Sequence, residues 1–135
     1  MKVLLSIKPQ FAEKIFNGTK KFEFRKSIFK NNKVKSVVVY ASSPVQKVIG
    51  EFEIEEILME NPATLWKITH NFSGITKEYF DQYFTARDTA YAIKINRTKK
   101  YNSPLNLKTD LGIDFPPQSF MYLEEKKMHC TQQMV

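Results

Sequence analysis

The chain has 135 residues, 42% hydrophobic, 13% aromatic and 26% charged, which gives one ordered globular domain, too short for two of ordinary size and too apolar to stay disordered. No apolar run approaches the roughly 20 residues that cross a bilayer, Met1 to Leu5 is too short for a signal-peptide core, and a lone cysteine, Cys130, excludes an internal disulfide and a cysteine-built metal site. The net charge of +7 suits a polyanionic partner or a lysine-rich solvated surface, and Lys outnumbers Arg by 18 to 3. A cytoplasmic protein with no membrane contact, no metal and no cofactor is expected.

In chain order, Val3 to Ile7 is a short apolar strand. Pro9 opens a helix through Asn17, with Phe11, Ala12, Ile15 and Phe16 at helical spacing, and Gly18 fits the left-handed position that ends it. The period then changes to two over Lys20 to Lys26. Phe22 and Phe24 face the core, while Lys21, Glu23 and Arg25 share the opposite face and form the rim of a polar cleft.

A polar, lysine-rich stretch from Ser27 to Lys35 precedes the β-branched strand Val37 to Tyr40, which Ala41-Ser42-Ser43-Pro44 breaks. Val48 to Leu58 is the clearest amphipathic strand, with Val48, Gly50, Phe52 and Ile54 on one face and Glu51, Glu53 and Glu55 on the other. Asn61-Pro62 caps a helix to about His70, with Leu65 and Ile68 inward and Trp66 against the sheet. His70, near the helix end, is a favourable terminal cation when protonated.

After a loop at Ser73-Gly74, a helix from about Thr76 carries the pairs Tyr79/Tyr83 and Phe80/Phe84, all read as core. Ala90 to Arg97 alternates as a strand. Tyr101 to Pro117 is loop-like, Gln118 to Leu123 is a last strand, and the tail from 124 to 135 reads as disordered. About six strands with an early helix and two central ones give an α+β fold with a small mixed barrel, whose closure would remove exposed sheet edges.

Charge is unevenly spread. Residues 1–50 hold eleven Lys or Arg against Glu13 and Glu23, residues 51–90 hold three against eight acidic residues, and residues 91–135 hold seven against four. The basic first third fits a surface facing a polyanion, with the acidic middle turned elsewhere.

The run Gly18-x-Lys20-x-x-Glu23-x-Arg25 behind the first helix resembles the signature of the ASCH domain, a branch of the PUA-like superfamily of small RNA-associated β-barrels. Ser6-Ile7-Lys8-Pro9, Tyr40 to Pro44, Val48 to Phe52 and Pro116 to Phe120 resemble its other landmarks, in the same order, up to Leu123. The resemblance implies a PUA-like barrel over residues 1–123 with its cleft beside the first helix, and RNA or a nucleotide as partner. Some relatives add a helix-turn-helix, for which this chain has no room. Others are a ribonuclease and an amidohydrolase that deacetylates N4-acetylcytidine. In the amidohydrolase the motif lysine, a threonine at the position of Glu23 and a later glutamate are catalytic. Lys20 matches, but Glu23 departs, and a carboxylate cannot replace a hydroxyl nucleophile without changing the intermediate.

The candidate cleft residues are Lys8, Lys20, Glu23, Arg25, Tyr40, Ser43, Gln118 and Ser119. Lys20 is either a donor or base in a cleft or a solvated turn lysine. Glu23 and Arg25 either orient a base edge or form a structural ion pair. Tyr40 stacks on a base or sits in the core, Ser42 and Ser43 bind phosphate or form a turn, and Gln118 and Ser119 supply polar contacts or close the sheet. Lys8, at the helix entry, attracts an anion or is merely exposed. The leading function is RNA or modified-nucleoside binding in this cleft, with a regulatory role open. The alternative is hydrolysis of an RNA phosphodiester or of acylated cytidine, with Lys20 and Glu23 as the catalytic pair. A third is a protein-interaction module using the acidic segment Glu51 to Glu60 or the tail.

Overall fold

The computed structural model of the protein describes residues 1–124. Their strands are β1 (Lys2–Ile7), β2 (Phe22–Arg25), β3 (Ser36–Ala41), β4 (Lys47–Glu60), β5 (Ala90–Leu105) and β6 (Met121–Leu123). Their α-helices are α1 (Pro9–Phe16), α2 (Pro62–Thr69), α3 (Lys77–Tyr83) and α4 (Leu107–Leu111), with a 3-10 turn over His70–Phe72. The strands form one mixed sheet in the order β2-β5-β4-β3-β1-β6, in which β1 runs parallel to β3 and the other pairs are antiparallel.

This sheet is open, which corrects the expected PUA-like barrel. The edge strands β2 and β6 each pair with a single neighbour, β5 and β1 respectively. With four and three residues they are too short to add a closing ladder. A side chain spans the gap instead: Arg25, at the end of β2, donates through Nη2 to the carbonyl of Ser119, just ahead of β6, at 2.6 Å. The tail expected to be disordered lies, from residue 125 on, outside the described residues.

Alternation along the central strands divides the core. Val3, Leu5, Val37, Val39, Phe52 and Ile93 pack under Ala12 and Ile15 of α1 on one face. Leu4, Val38, Tyr40 and Leu105 pack with Leu107 and Leu111 of α4 on the other. Phe22, Phe24, Ala90 and Ala92 pack with Leu65 of α2 and Phe80 and Phe84 of α3. These α2 and α3 contacts lie on the β5 face opposite Ile93.

Local chemistry explains the helix ends. Asn61 and Thr76 accept from Thr64 N–H and Tyr79 N–H as N-caps of α2 and α3. Gly18, at φ +87, turns the chain out of α1, and the amides of Thr19 and Lys20 both donate to the Lys14 carbonyl at 3.0 Å.

Several sequence expectations are corrected. Val48 does not share a face with Phe52. Val39 pairs with Gly50 and Tyr40 with Val48, so Ile49 is an extra residue, and the bulge turns Val48 toward α4. Ile68 is exposed, and Thr69 takes the inward position four residues after Leu65, whose carbonyl it binds through Oγ1 at 2.8 Å. The supposed loop after Tyr101 is the end of β5 followed by α4. Pro104 is tolerated because the ladder steps from Gly50↔Lys100 to Val48↔Leu105 without a pairing at the proline. Asn106 then caps α4 by accepting from Lys108 N–H and Thr109 N–H. The last strand is confined to Met121–Leu123.

At Gly50 the C-terminal end of α1 lies against the sheet. A Cβ there would lie 2.6 Å from the Phe16 ring and 2.6 Å from the Lys99 carbonyl oxygen. One of these is backbone and cannot yield cheaply. Gly50→Ala is expected to destabilise the protein by about 1–3 kcal/mol in chemical denaturation. An unchanged midpoint would show that both the Phe16 ring and the Lys99 backbone can give way.

Candidate active site

Lys20 is 2% exposed, although lysine is almost never fully buried without partners. Its Nζ donates to the Ser73 carbonyl at 2.6 Å and lies 4.8 Å from the centre of the Phe24 ring and 5.4 Å from that of Phe11. Gly74 closes over the stem. It has φ +69, and a Cβ there would meet Lys20 Cβ and Cγ at 2.6 Å. The loop is tied at both ends, by Lys14 Nζ on the Gly74 carbonyl at 3.2 Å and by Ser73 Oγ on the Ile75 carbonyl at 3.0 Å. Burial lowers the Lys20 pKa from 10.5 to about 8, against the nearby Glu23 carboxylate, which raises it, and with the Lys14 charge, which lowers it further.

Glu23 sits between Phe22 and Phe24 on β2 and pairs across the ladder with Ile93, on the face that α1 covers. It is 6% exposed. One of its oxygens, Oε2, accepts from Arg25 Nη1 at 3.3 Å. The same guanidinium donates from Nη1 to the Ser6 carbonyl at 3.4 Å and from Nη2 to the Ser119 carbonyl at 2.6 Å. Arg25 therefore spends its fork on three protein oxygens and holds the Glu23 carboxylate in place.

These groups form the base of a cleft of about 140 Å3. Ser6, Ile7, Lys8 and Phe11 make one wall, and Ile75, Tyr79 and Tyr83 make the other. The rings of Tyr79 and Tyr83 run nearly parallel, 6.4 Å apart, and Phe11 meets Tyr79 edge-on at 5.1 Å. At the rim, Lys8 Nζ stands 5.2 Å over Tyr79 and Lys26 Nζ 4.9 Å over Tyr83. Burial raises the Tyr83 phenol pKa, with the Arg25 charge opposing, so at neutral pH it remains a neutral hydroxyl.

The structure thus brings Lys8, Lys20, Glu23 and Arg25 into one cleft. Ser119 joins them through its carbonyl on Arg25, with its hydroxyl 3.4 Å from that of Ser27. Tyr40 is placed elsewhere, 5% exposed in the core on the face opposite α1. Ser43 is exposed in the turn after β3, and Gln118 is exposed beside Ser119 without lining the cleft. Tyr79 and Tyr83, read as core, are half-buried cleft residues, while Phe80 and Phe84 are core. The distinction is visible in sequence: two aromatic pairs one position apart lie about 100° apart on a helix, and the pair bearing hydroxyls is the one nearer water.

The ASCH domain profile matches residues 5–99, more than half of the chain. The chain belongs to the ASCH domain family. It is 30% identical over 135 residues to the ASCH domain-containing ribonuclease of Zymomonas mobilis, covering 98% of this chain and 88% of that protein. The crystal structure of ASCH from the same organism superposes with a TM-score of 0.90 at 26% identity, over 99% of this chain and 94% of that one. A further relative, large ribosomal subunit protein uL22 of Ureaplasma parvum, is 30% identical over 122 residues. That match covers 90% of this chain and 39% of the relative, so this chain spans well under half of that relative's length. Among the described residues of this ASCH domain, no helix is long and apolar enough to cross a membrane.

Two outcomes test the lysine site. Below pH about 8 Lys20 is protonated whether the protein is folded or not; between about 8 and 10.5 the unfolded chain keeps a proton that the folded one has shed. Stability due to this group therefore rises with pH across that window. Compared with Lys20→Met, the wild type is expected to gain of the order of 3 kcal/mol there, measured by denaturant melts at a series of pH values. Parallel curves would refute the buried-ammonium assignment. Gly74→Ala combines a strained φ with a clash on the lysine stem, so it is expected to lower the melting temperature and to move the Lys20 pKa up toward 10.5, read by NMR of 13C-methylated lysines. An unmoved lysine signal would remove Gly74 from the site.

Proposed function

We propose that this ASCH domain cleaves RNA, with Lys20 and Glu23 as an acid–base pair. The observation that carries the catalytic part is that a buried lysine and a buried carboxylate, with a partly exposed guanidinium on the carboxylate, line one open cleft. Support for RNA as the substrate class comes from the near full-length likeness to a protein named a ribonuclease, and the basic rim suits a phosphate chain.

In the proposed division of labour, Glu23, with one oxygen held by Arg25, offers the other to a ribose 2′-hydroxyl and takes its proton. The 2′-oxygen then bonds to phosphorus while the bond from phosphorus to the 5′-oxygen breaks. Lys20, whose ammonium is poised at a pKa of about 8, gives its proton to the departing 5′-oxygen and offsets charge on the phosphoryl oxygens. The products are a 2′,3′-cyclic phosphate and a free 5′-hydroxyl. Solvent returns the Lys20 proton and removes that of Glu23. Tyr79 and Tyr83 give the base beside the reacting phosphate an aromatic wall.

End-labelled RNA should yield fragments ending in cyclic phosphate. Lys20→Ala and Glu23→Gln should each lower kcat by about 10²- to 10⁴-fold, and the wild-type rate should fall as pH rises through about 8. Cleavage that survives both substitutions would end this assignment. N4-acetylcytidine incubated in parallel separates the two hydrolytic readings, since its turnover without RNA cleavage would make the cleft a deacylase. Salt-sensitive RNA binding with neither turnover would leave binding as the function.

A further inference from the structure

We propose that the groove between the 3-10 turn and β5 is a second nucleotide subsite, which stacks a base of single-stranded RNA on Phe72. The identity of the strand rests on the RNA reading above. The catalytic cleft, at about 140 Å3, holds little more than one ring, so a polymer bound there must continue onto adjoining surface. The adjoining groove has about 600 Å3 and shares a wall with the cleft, because Lys20 lines both.

Its lining suits a nucleotide. Phe72 is 47% exposed, and Lys21 Nζ lies 4.5 Å from its ring centre. The opposite wall presents Lys94, Asn96 and Thr98 from alternate positions of β5, with Asn71 beside Phe72. Glu55 neutralises Lys94 at 2.8 Å, which leaves Lys21 to give the groove its positive sign, complementary to phosphate. Asn71, Asn96 and Thr98 offer donors and acceptors that suit any base edge, and an exposed aromatic face serves every base alike.

The platform is also fixed. The Lys21 amide donates to the Phe72 carbonyl at 2.8 Å, and the next residue, Ser73, holds Lys20. Two neighbouring residues of one strand start, Lys20 and Lys21, thus anchor the cleft and the platform together. An exposed phenylalanine that merely capped a loop would need no such registration.

The test is equilibrium binding of 2′-O-methyl RNA, which cannot be cleaved through a 2′-hydroxyl, read by fluorescence anisotropy with a dinucleotide and an octanucleotide. Phe72→Ala is expected to weaken the octanucleotide by roughly five- to a hundredfold and leave the dinucleotide within about twofold. Phe72→Tyr should retain wild-type affinity, and Phe72→Leu, which keeps apolar bulk without a π face, should not. Matched melting curves confirm that the variants are folded. Octanucleotide binding that ignores Phe72, or that Phe72→Leu sustains, overturns the subsite, and the latter would point to an apolar protein segment as occupant. No octanucleotide binding by the wild type also overturns it. Retained Phe72-dependent binding by a wild type that cleaves no RNA would sink the enzyme reading alone.

Discussion

The ammonium of Lys20, buried beneath the Ser73–Gly74 loop, is the constraint from which the rest of the site follows. Placing an ion out of water costs several kcal/mol unless neighbours replace its hydration. Here the replacements are one carbonyl, two ring faces and a carboxylate. Each makes its own demand on the fold. The carbonyl requires the loop after the 3-10 turn to carry a glycine able to lie against the lysine stem. The carboxylate requires Arg25, and Arg25 requires the carbonyls of Ser6 and Ser119. A single buried charge thereby ties together the end of β1, the start of α1, the edge strand β2, the loop before α3 and the approach to β6. This network fixes the distance between the edges of a sheet that no ladder closes.

The same reasoning assigns Arg25 a different task from the one its chemistry first suggests. A guanidinium beside a carboxylate in a basic cleft invites a role as phosphate fork. Three of its hydrogen bonds already end on protein oxygens, and its side chain is 12% exposed. Breaking them to grip a ligand would strand carbonyls in a poorly hydrated place, at about 1–3 kcal/mol for each. Arg25 is better understood as the part that keeps Glu23 aimed. The solvent-facing cations beside the cleft are Lys8 and Lys26, which stand over the rings of Tyr79 and Tyr83. Their reach is set by ionic strength, whereas the buried pair beneath them is screened far less.

Much of this arrangement was legible in the sequence, because it rests on local rules. The helix ending at Gly18 and the alternation of Phe22 to Arg25 place Lys20, Glu23 and Arg25 in one neighbourhood without any knowledge of the tertiary fold. What escaped depended on residues far apart in the chain. Tyr40 reads equally as a stacking residue or a core residue, and the bulge at Ile49 together with α4 surrounds it with leucines and valines. That helix was hidden because Pro104 and Gly112 looked like punctuation of a loop, although Asn106 was a sound N-cap between them. Barrel closure followed from family likeness and from the general cost of free edges, but the two edge strands are too short to pair. Tyr79 and Tyr83 share a helix with true core residues, and the hydroxyls that set them apart from Phe80 and Phe84 were the one local sign that theirs is the flank nearer water.

Glu23 bears most directly on what chemistry this cleft performs. Burial lowers the Lys20 pKa to about 8, and the Glu23 charge keeps it from falling further. A hydroxyl at the same place would supply no such charge, and the buried amine would lose its proton more readily. It would then act as a base or nucleophile activator, as a lysine–threonine arrangement requires. With a carboxylate there, the amine holds its proton more firmly, as the proposed role of Lys20 as proton donor requires. On the acid–base reading proposed above, the residue at this one strand position therefore decides whether the lysine gives a proton or takes one.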